Sequence, residues 1–326
     1  MEDLSLEIKG FLKKAGLVGY DILPLAGDAS DRKYYRLKQN KHSLVLMDSS
    51  KTIETMNSFV NVRNYLSSNQ FSVPEILNVD IDNGFIVLED FGDNTLDKYL
   101  VKNPKDTKKI YKLIVDLVIS LNNLNNPPFL EFNKQFFLDE LAIFTRWYMP
   151  LIDRFIVDNK INRFNSSWDQ ALEYLLKEDK KQVFVHKDLH CGNLFRLPNR
   201  SGVRKLGIID FQAAKRGSMV YDITSFLYDC RLPLQKDLRD NLIERYMTGN
   251  DWNIQKFQNL CDIYIAQRNI KILGNFAYLY KEKGNGKYLN FLPNVWEYVN
   301  KSLENPILKE VKTWFKENNI KLFGRY

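Results

Sequence analysis

The chain has 326 residues, enough for about two domains with a substantial buried core. Hydrophobic residues make up 44% of it and aromatic residues 13%, with only 15 glycines and 10 prolines, which excludes collagen-like and low-complexity chains. The formal net charge is +7. Because the lysines are interleaved with acidic residues, this excess favours solvated helix faces over a dedicated nucleic-acid surface, and we expect no nucleic-acid partner.

Three further features indicate the compartment. Apolar runs are interrupted by polar residues before they reach the length of a membrane span. The first four residues include two acids where a secretory signal carries bases. The three cysteines lack the paired spacing of a disulfide framework, which fits reduced thiols. We therefore expect a cytoplasmic protein without a membrane partner. Separately, we expect it to be a monomer.

The periodicity of apolar residues changes along the chain. Short β-rich runs at 34–37, 43–47 and 84–88 predict a small sheet, interrupted by one helix over about 53–67. After Gly92 the pattern becomes helical. An apolar stripe predicts a helix over 110–124, and similar patterns predict further helices over 136–148, 166–177, 236–247, 254–282 and 306–317.

One stretch of the second part has a strand pattern. Residues 182–185 are typical of a strand, and a polar loop follows. Residues 193–197 and 205–209, separated by a turn-forming segment, then predict a β-hairpin. The sequence thus predicts two parts, an N-terminal lobe over 1–89 and a C-terminal lobe over 90–326 that contains the hairpin.

Polar side chains flank this hairpin. Asn193 begins its first strand, Asp210 follows its second strand, and Asp188 lies in the preceding loop. Because a hairpin brings its two ends together, we expect Asn193 and Asp210 to lie side by side with Asp188 nearby. Carboxylate and amide oxygens suit Mg²⁺, and a further carboxylate can receive a hydroxyl proton. This set predicts phosphoryl transfer, and its spacing matches the kinase pattern H-x-D-x-x-x-x-N followed by D-F.

A zinc site is an alternative, because His186 and His190 are four residues apart and Cys191 is adjacent. That spacing binds zinc from a helix, however, whereas these residues follow a strand and precede Gly192. We prefer His186 as a buried support of the loop.

A second candidate turn lies near the N-terminus, where Gly27, Ser30, Asp31 and Arg32 precede the strand at 34–37. A nucleotide-binding turn belongs at such a position. With one glycine the segment lacks a glycine-rich phosphate loop, so phosphate contacts would come from backbone N–H groups, Ser30 and Arg32. An ordinary polar turn fits the segment equally well.

Several segments together resemble the aminoglycoside phosphotransferase-like kinases, and most closely their branch of bacterial anomeric N-acetylmuramate and N-acetylglucosamine kinases. The resemblance covers nearly the whole chain. It is carried by residues 27–36, 44–48, 88–92, 185–188, 209–213, 221–223, 267–274 and 288–293. It implies an α+β, bilobal protein-kinase-like fold with a small β-rich N-lobe and a larger, mostly helical C-lobe with an embedded catalytic hairpin.

The resemblance also implies roles for individual residues. Asp188 would be the catalytic base or hydroxyl-orienting group, and Asn193 and Asp210 would hold Mg²⁺. The other implied residues fall into three groups: nucleotide binding by Gly27, Ser30, Asp31, Arg32, Leu88, Glu89 and Asp90; acceptor binding by His190, Gln212, Arg268 and Lys271; and structural support by His186 and Asp222.

The function implied is ATP-dependent phosphorylation of the C1 hydroxyl of an amino sugar, N-acetylmuramate or N-acetylglucosamine, in peptidoglycan sugar recycling. An aminoglycoside, choline or another alcohol is the alternative acceptor. In one respect the chain departs from the kinase pattern, because Met47 stands where a phosphate-binding lysine is expected. Another cation, such as Arg32, Lys33 or Lys51, would have to replace it. The same departure leaves open an inactive nucleotide-binding module.

Overall fold

The structure is a computed structural model, and it describes residues 5–25, 32–124, 127–154, 158–179, 181–248 and 252–324. The strands within these ranges are β1 (Asp21–Leu25), β2 (Lys33–Gln39), β3 (His42–Asp48), β4 (Ile76–Asp80), β5 (Phe85–Glu89), β6 (Gln182–Val185), β7 (Leu194–Arg196), β8 (Leu206–Ile208) and β9 (Lys215–Ser218).

Helices occupy much of the remaining chain. Those of the same ranges are α1 (Leu6–Lys14), α2 (Met56–Ser68), α3 (Leu96–Lys102), α4 (Thr107–Asn122), α5 (Lys134–Ile143), α6 (Met149–Leu151), α7 (Asp158–Ser167), α8 (Asp169–Glu178), α9 (Met219–Leu227), α10 (Lys236–Met247), α11 (Ile254–Lys281), α12 (Leu292–Ser302) and α13 (Lys309–Glu317). Among the helices described here, none is both long enough and apolar enough to cross a membrane.

The chain forms two compact units. The first consists of Met1–Pro104 with Cys191–Ala213, and the second of Lys105–His190 with Ala214–Tyr326. The hairpin therefore belongs to the same unit as the N-terminal sheet. The functional boundary between residues 89 and 90 stays a prediction.

A five-stranded antiparallel sheet organises the first unit, in the order β1-β2-β3-β5-β4. Alternate residues of its strands face α1, because side chains along a strand point to opposite faces. The resulting core contains Ile8, Phe11, Leu12, Tyr35, Leu37, Leu46, Phe85 and Val87.

The predicted hairpin is present in the first unit. Strands β7 and β8 pair antiparallel, and Phe195 lies opposite Gly207. A Cβ atom at Gly207 would lie 2.6 Å from the Phe91 ring, so this position requires glycine for close packing. The hairpin is also bonded to the segment before β4, because the N–H of Ile208 donates to the carbonyl of Ser72 at 2.7 Å.

In the second unit, β6 and β9 pair antiparallel, and α11 is the longest helix described. Asn253 caps α11, since its side chain accepts a 2.8 Å hydrogen bond from the N–H of Lys256. Gly274 allows α11 to approach the neighbouring backbone: a Cβ atom there would lie 2.5 Å from the carbonyl of Ile143.

The α+β class predicted from the sequence is confirmed. The three predicted strand runs correspond to β2, β3 and β5, and the predicted helix over 53–67 corresponds to a 3₁₀ turn followed by α2. The stripe at 110–124 forms α4, and the patterns at 236–247 and 254–282 form α10 and α11.

Candidate active site

The loop that carries Asp188 follows β6 and is fixed through its backbone. Asp222, in the first turn of α9, accepts hydrogen bonds from the N–H groups of His186 at 2.7 Å and Lys187 at 3.1 Å. His186 is fully buried, and its Nδ1 accepts from the N–H of Asp188. Burial raises the pKa of the Asp222 carboxyl, although His186 and the loop N–H groups act in the opposite direction. The positions of His186 and Asp222 are thus those of supports for the loop.

Lys187 is held at three points. Its φ is +77°, in the left-handed region that costs a non-glycine residue about 1 to 2 kcal/mol. Its N–H donates to Asp222, its carbonyl accepts from Nη1 of Arg268 at 2.9 Å, and its Nζ lies 3.1 Å from Oε1 of Glu140. The ammonium also lies 4.6 Å from the centre of the Phe136 ring. These contacts hold the residue before Asp188 in a conformation it would not adopt by itself.

Glu140, on α5, is shared by two lysines. Its Oε1 also accepts from Nζ of Lys271 at 3.0 Å, and its Oε2 accepts from the Gln267 side chain at 3.2 Å. Burial acts to raise the pKa of Glu140, but the charges of Lys271 and Lys187 outweigh it and lower the pKa to about 2. Sequence reasoning missed this residue. The available signal was an acid in the buried stripe of α5, between Phe137 and Leu141.

Asp188 itself is half exposed. Its side chain is 48% accessible, and its Oδ1 accepts a 2.8 Å hydrogen bond from Nη2 of Arg268, whose side chain is only 8% accessible. Partial desolvation of the Asp188 carboxyl acts to raise its pKa, but the polar contact with His190 and the positive charges of Arg268 and Arg231 outweigh this effect. The pKa of Asp188 therefore lies well below its ordinary value. The group is an anion at neutral pH and is oriented from one side by Arg268.

His190 lies beside this carboxylate. Its Nε2 is 3.6 Å from Oδ2 of Asp188 and 3.1 Å from Nη1 of Arg231. Because a guanidinium group can only donate, Nε2 of His190 faces a donor in Arg231 and a carboxylate in Asp188. Arg231 is bonded in turn to Asp229, from Nε to Oδ1 at 2.8 Å. Sequence reasoning missed Arg231, which belongs to no recognised motif.

The hairpin unites Asn193 and Asp210 as predicted. Nδ2 of Asn193 donates to Oδ2 of Asp210 at 3.3 Å, and the N–H of Ile209 donates to the carbonyl of Asn193 at 3.1 Å. Nε2 of Gln212 donates to the other oxygen of Asp210 at 2.7 Å. Asp210 has a φ of +61°, and such strain in a non-glycine residue often marks a functional position.

These side chains are a suitable partial ligand set for Mg²⁺. Among the described residues, no three His, Cys, Asp or Glu side chains form a metal-binding group. One carboxylate with one amide oxygen nevertheless fits Mg²⁺, which usually keeps several waters and takes other oxygens from substrate phosphates. Turning the Asn193 amide would present its oxygen in place of the N–H₂ group that now donates to Asp210.

Of the predicted nucleotide-binding turn, Gly27, Ser30 and Asp31 lie outside the described residues. Arg32 is buried, and its Nη2 donates to Oγ1 of Thr55 at 2.6 Å. The pKa of Tyr34 responds to the charges of both Arg32 and Asp210, the candidate metal ligand. Burial raises the pKa of Tyr34, the charge of Arg32 acts to lower it, and the charge of Asp210 acts to raise it. The Arg32 guanidinium group lies 5.9 Å from the centre of the Phe59 ring, which in turn lies 5.1 Å from the ring of Phe211, the residue after Asp210.

One further position bears on nucleotide binding. Met47, in β3, is fully buried and forms part of the sheet, opposite Tyr34. This position is therefore occupied by a core side chain of the sheet, and it does not supply a cation for phosphate binding. Arg32 remains a candidate for the missing phosphate contact.

The predicted adenine-binding residues lie at the end of β5. Leu88 is buried, and Glu89 accepts from Nη2 of Arg200 at 2.7 Å. Asp90 accepts from the Arg36 guanidinium, from the Ser43 hydroxyl and from the N–H of Gly92. The Asp90 carboxylate is occupied by these structural contacts. A nucleotide contact by Asp90 stays a prediction, and it would have to come from the backbone or from an exchange of these bonds.

Comparisons with known proteins identify similar kinases. The chain is 26% identical to the N-acetylmuramate/N-acetylglucosamine kinase of Caulobacter vibrioides, over 89% of this chain and 90% of that protein. It is 27% identical to the kinase of the same name from Pseudomonas aeruginosa, over 86% and 82%. Choline kinase LicA from Streptococcus pneumoniae superposes with a TM-score of 0.65 at 16% identity, covering 92% of this chain and 99% of that one, and LicA has also been solved with AMP.

These similarities confirm the predicted fold. The model of one protein family, described as the phosphotransferase enzyme family, matches residues 21–257, which is most of the chain. The protein belongs to the phosphotransferase enzyme family.

Proposed function

We propose that the protein is an ATP-dependent kinase that phosphorylates the anomeric C1 hydroxyl of N-acetylmuramate, N-acetylglucosamine or both, in the recycling of peptidoglycan sugars. The relatives that carry this name match most of both chains, which supports the acceptor class. The observation that carries the chemistry is the half-exposed Asp188 carboxylate, held by Arg268 at 2.8 Å.

Asp188 orients the acceptor in this mechanism. Its anionic carboxylate accepts a hydrogen bond from the C1 hydroxyl and aligns that oxygen with the γ-phosphorus of ATP. The new O–P bond forms as the bond between the γ-phosphorus and the leaving oxygen of ADP breaks, and the hydroxyl proton passes to Asp188. Because the pKa of Asp188 is well below its ordinary value, this carboxylate is a weak base. Late proton transfer suits it, since the phosphoryl group passes through a loose transition state that needs little activation of the nucleophile.

Asn193 and Asp210 are the residues that would hold Mg²⁺. The bound ion would neutralise charge on the phosphate oxygens of ATP. The chain itself supplies the hairpin that keeps these two side chains together, and Gln212 fixes the second oxygen of Asp210.

Arg32 is our candidate for the cation that replaces the usual lysine. A guanidinium group can donate two parallel hydrogen bonds to a phosphate, and its charge does not depend on pH in the physiological range. The remaining nucleotide contacts are proposed for Gly27, Ser30, Asp31 and residues 88–90.

The residues proposed to bind the acceptor differ in the contacts that they already make within the protein. His190 and Gln212 contact Asp188 and Asp210 respectively, so both are suited to help define the acceptor position. Arg268 is committed to Asp188 and to the carbonyl of Lys187, whereas Lys271 is committed to Glu140. Direct acceptor contacts by Arg268 and Lys271 remain predictions.

The test is a panel of acceptors incubated with Mg·ATP and followed by phosphorus NMR. N-acetylmuramate, N-acetylglucosamine, choline and an aminoglycoside are compared, with Asp188→Asn as the inactive control. We expect an anomeric sugar phosphate, whose signal couples to the C1 proton, together with equal release of ADP. Transfer to carbon 6, or to choline or the aminoglycoside alone, would refute the assignment. Nucleotide binding without turnover on any acceptor would instead support an inactive nucleotide-binding module.

A further inference from the structure

Arg231 lies in the segment between α9 and α10 and is fixed in place by two groups. Its Nε donates to Oδ1 of Asp229 at 2.8 Å, and its Nη1 donates to Nε2 of His190 at 3.1 Å. The same Asp229 oxygen accepts the backbone N–H of Arg231 at 3.1 Å. The segment is anchored further by Asn294, which donates to the carbonyl of Cys230 at 2.9 Å. The long Arg231 side chain is thereby held beside His190, on the loop that carries Asp188.

The guanidinium group retains unused donors. Arginine has five N–H bonds, and the two contacts above use two of them. Among the described residues, Nη2 of Arg231 has no hydrogen-bond partner, and the side chain is 32% accessible. The other cations of this cluster are more buried, and each is bonded to an acid: Arg268 is 8% accessible, Lys271 is 11% accessible and Lys187 is 18% accessible. Arg231 is therefore the cation here with capacity for an external anion.

We propose that Arg231 binds the lactyl carboxylate that distinguishes N-acetylmuramate from N-acetylglucosamine, and so determines how strongly the enzyme prefers the acidic sugar. This inference rests on the proposed function. The lactyl group is carried by the same ring as the C1 hydroxyl. A cation that shares His190 with the hydroxyl-orienting Asp188 is thus placed to meet the lactyl group.

Charge explains why such a cation is needed. An anionic acceptor must approach the anionic Asp188, and like charges repel strongly where water is partly excluded. Arg231 offers the acceptor a fixed positive group at the same place, and its planar fork suits a carboxylate. N-acetylglucosamine carries no charge, so its binding gains much less from Arg231.

The experiment measures kcat/KM for both sugars in the wild-type protein, Arg231→Gln and Arg231→Lys. A hydrogen bond to a charged group contributes about tenfold to a hundredfold in binding. We expect the ratio of the two kcat/KM values, N-acetylmuramate over N-acetylglucosamine, to fall by that factor in Arg231→Gln, mainly through KM. Arg231→Lys should recover part of the ratio, because it keeps the positive charge but cannot donate two parallel hydrogen bonds to the carboxylate.

A substrate analogue provides a test that does not depend on a variant folding. In the amide of N-acetylmuramate a neutral carboxamide of almost the same shape replaces the lactyl carboxylate. The wild-type protein should use this amide about tenfold less well than the acid, and Arg231→Gln should hardly distinguish the two. The matched control is Arg245→Gln, because Arg245 pairs with Asp116 in the same unit and should leave the ratio of the two sugars unchanged.

The results separate this inference from the proposed function. An equal loss for both sugars in Arg231→Gln, or a rise in KM confined to ATP, would overturn the role of Arg231 and leave the kinase assignment intact. Phosphorylation of N-acetylglucosamine but not of N-acetylmuramate by the wild-type protein would also overturn the role of Arg231 and leave the kinase assignment intact. Failure to phosphorylate either sugar would overturn both.

Discussion

Arg268 holds Asp188 and the residue before it with one guanidinium group. Nη2 donates to Oδ1 of Asp188 at 2.8 Å, and Nη1 donates to the carbonyl of Lys187 at 2.9 Å. Because one planar group makes both contacts, the direction of the carboxylate is tied to the strained backbone at Lys187. Arg268 is thus a positioning residue in our proposal, and its loss should affect both the orientation and the protonation of Asp188.

We predict that Arg268→Gln lowers kcat by about a hundredfold, as expected when a reacting group is misplaced by about 1 Å. The pKa of Asp188 lies below its ordinary value, so the wild-type carboxylate is protonated only in strong acid. Removal of the Arg268 charge raises this pKa. The acidic limb of the pH profile of kcat should therefore move to higher pH, which a purely structural defect would not cause.

The control for this experiment is Arg268→Lys, which keeps the charge but loses the fork. It should recover the position of the acidic limb better than it recovers kcat. An acidic limb at the same pH in all three proteins would contradict the assigned interaction.

We predict that Asp210→Asn raises the Mg²⁺ concentration that nucleotide binding requires. Loss of a ligand carboxylate should raise the Mg²⁺ concentration needed for half-maximal nucleotide binding by about tenfold to a hundredfold. Calorimetry of ADP binding at several Mg²⁺ concentrations measures this directly. Asp80→Asn is the control, since Asp80 is a carboxylate of the same unit that is bonded to Asn83. Identical Mg²⁺ dependence in Asp210→Asn and Asp80→Asn would exclude Asp210 as a ligand.

Arg32 is the subject of the third prediction. Its guanidinium group lies 5.9 Å from the centre of the Phe59 ring, and that ring contacts Phe211, the residue after Asp210. Arg32→Gln should raise KM for ATP by about tenfold or more, with little change in KM for the sugar. Lys51→Gln is the matched control, because Lys51 is an exposed cation that the sequence offers as an alternative anchor. A larger effect on ATP from Lys51→Gln than from Arg32→Gln would transfer the role to Lys51.

The elements that could be predicted from the sequence are those with one apolar face and one polar face. Helix α4 has an apolar stripe that packs inward and a polar face, so its period is visible in the chain. Helix α9 was not predicted, because all nine of its residues are buried, including the polar Asp222, Thr224 and Ser225, so no exposed polar face marks a helical period. Strand β9, which reads Lys-Arg-Gly-Ser, was not predicted for a related reason: its position comes from pairing with β6 and not from its own composition.

In the candidate site, contacts between residues close in sequence could be predicted, and contacts between distant residues could not. Asn193 and Asp210 could be predicted to meet because a short hairpin joins them, and local chain geometry determines that contact. Glu140 and Lys271 are 131 residues apart, and Arg231 and His190 are 41 residues apart. Contacts of this kind depend on how the helices of the second unit pack, and no local pattern in one sequence encodes them.

The last prediction concerns stability. Glu140 is buried between Lys187 and Lys271, and its pKa is about 2 in the folded protein against an ordinary value of 4.5. A depressed pKa means that the ionised carboxylate stabilises the fold at any pH above 4.5. This contribution is lost as the pH falls from 4.5 through 2. A shift of this size corresponds to about 3 kcal/mol.

Glu140→Gln should therefore lower the free energy of unfolding by about 3 kcal/mol at pH 7, since two buried ammonium groups lose their shared partner. Urea unfolding of the variant and the wild-type protein between pH 2 and pH 7 measures the difference, which should shrink as the wild-type carboxylate becomes protonated. Glu173→Gln, at an exposed position on α8, should change stability by less than about 0.5 kcal/mol. A Glu140→Gln difference that stays constant from pH 2 to pH 7 would show that the ionised carboxylate is not what stabilises this cluster.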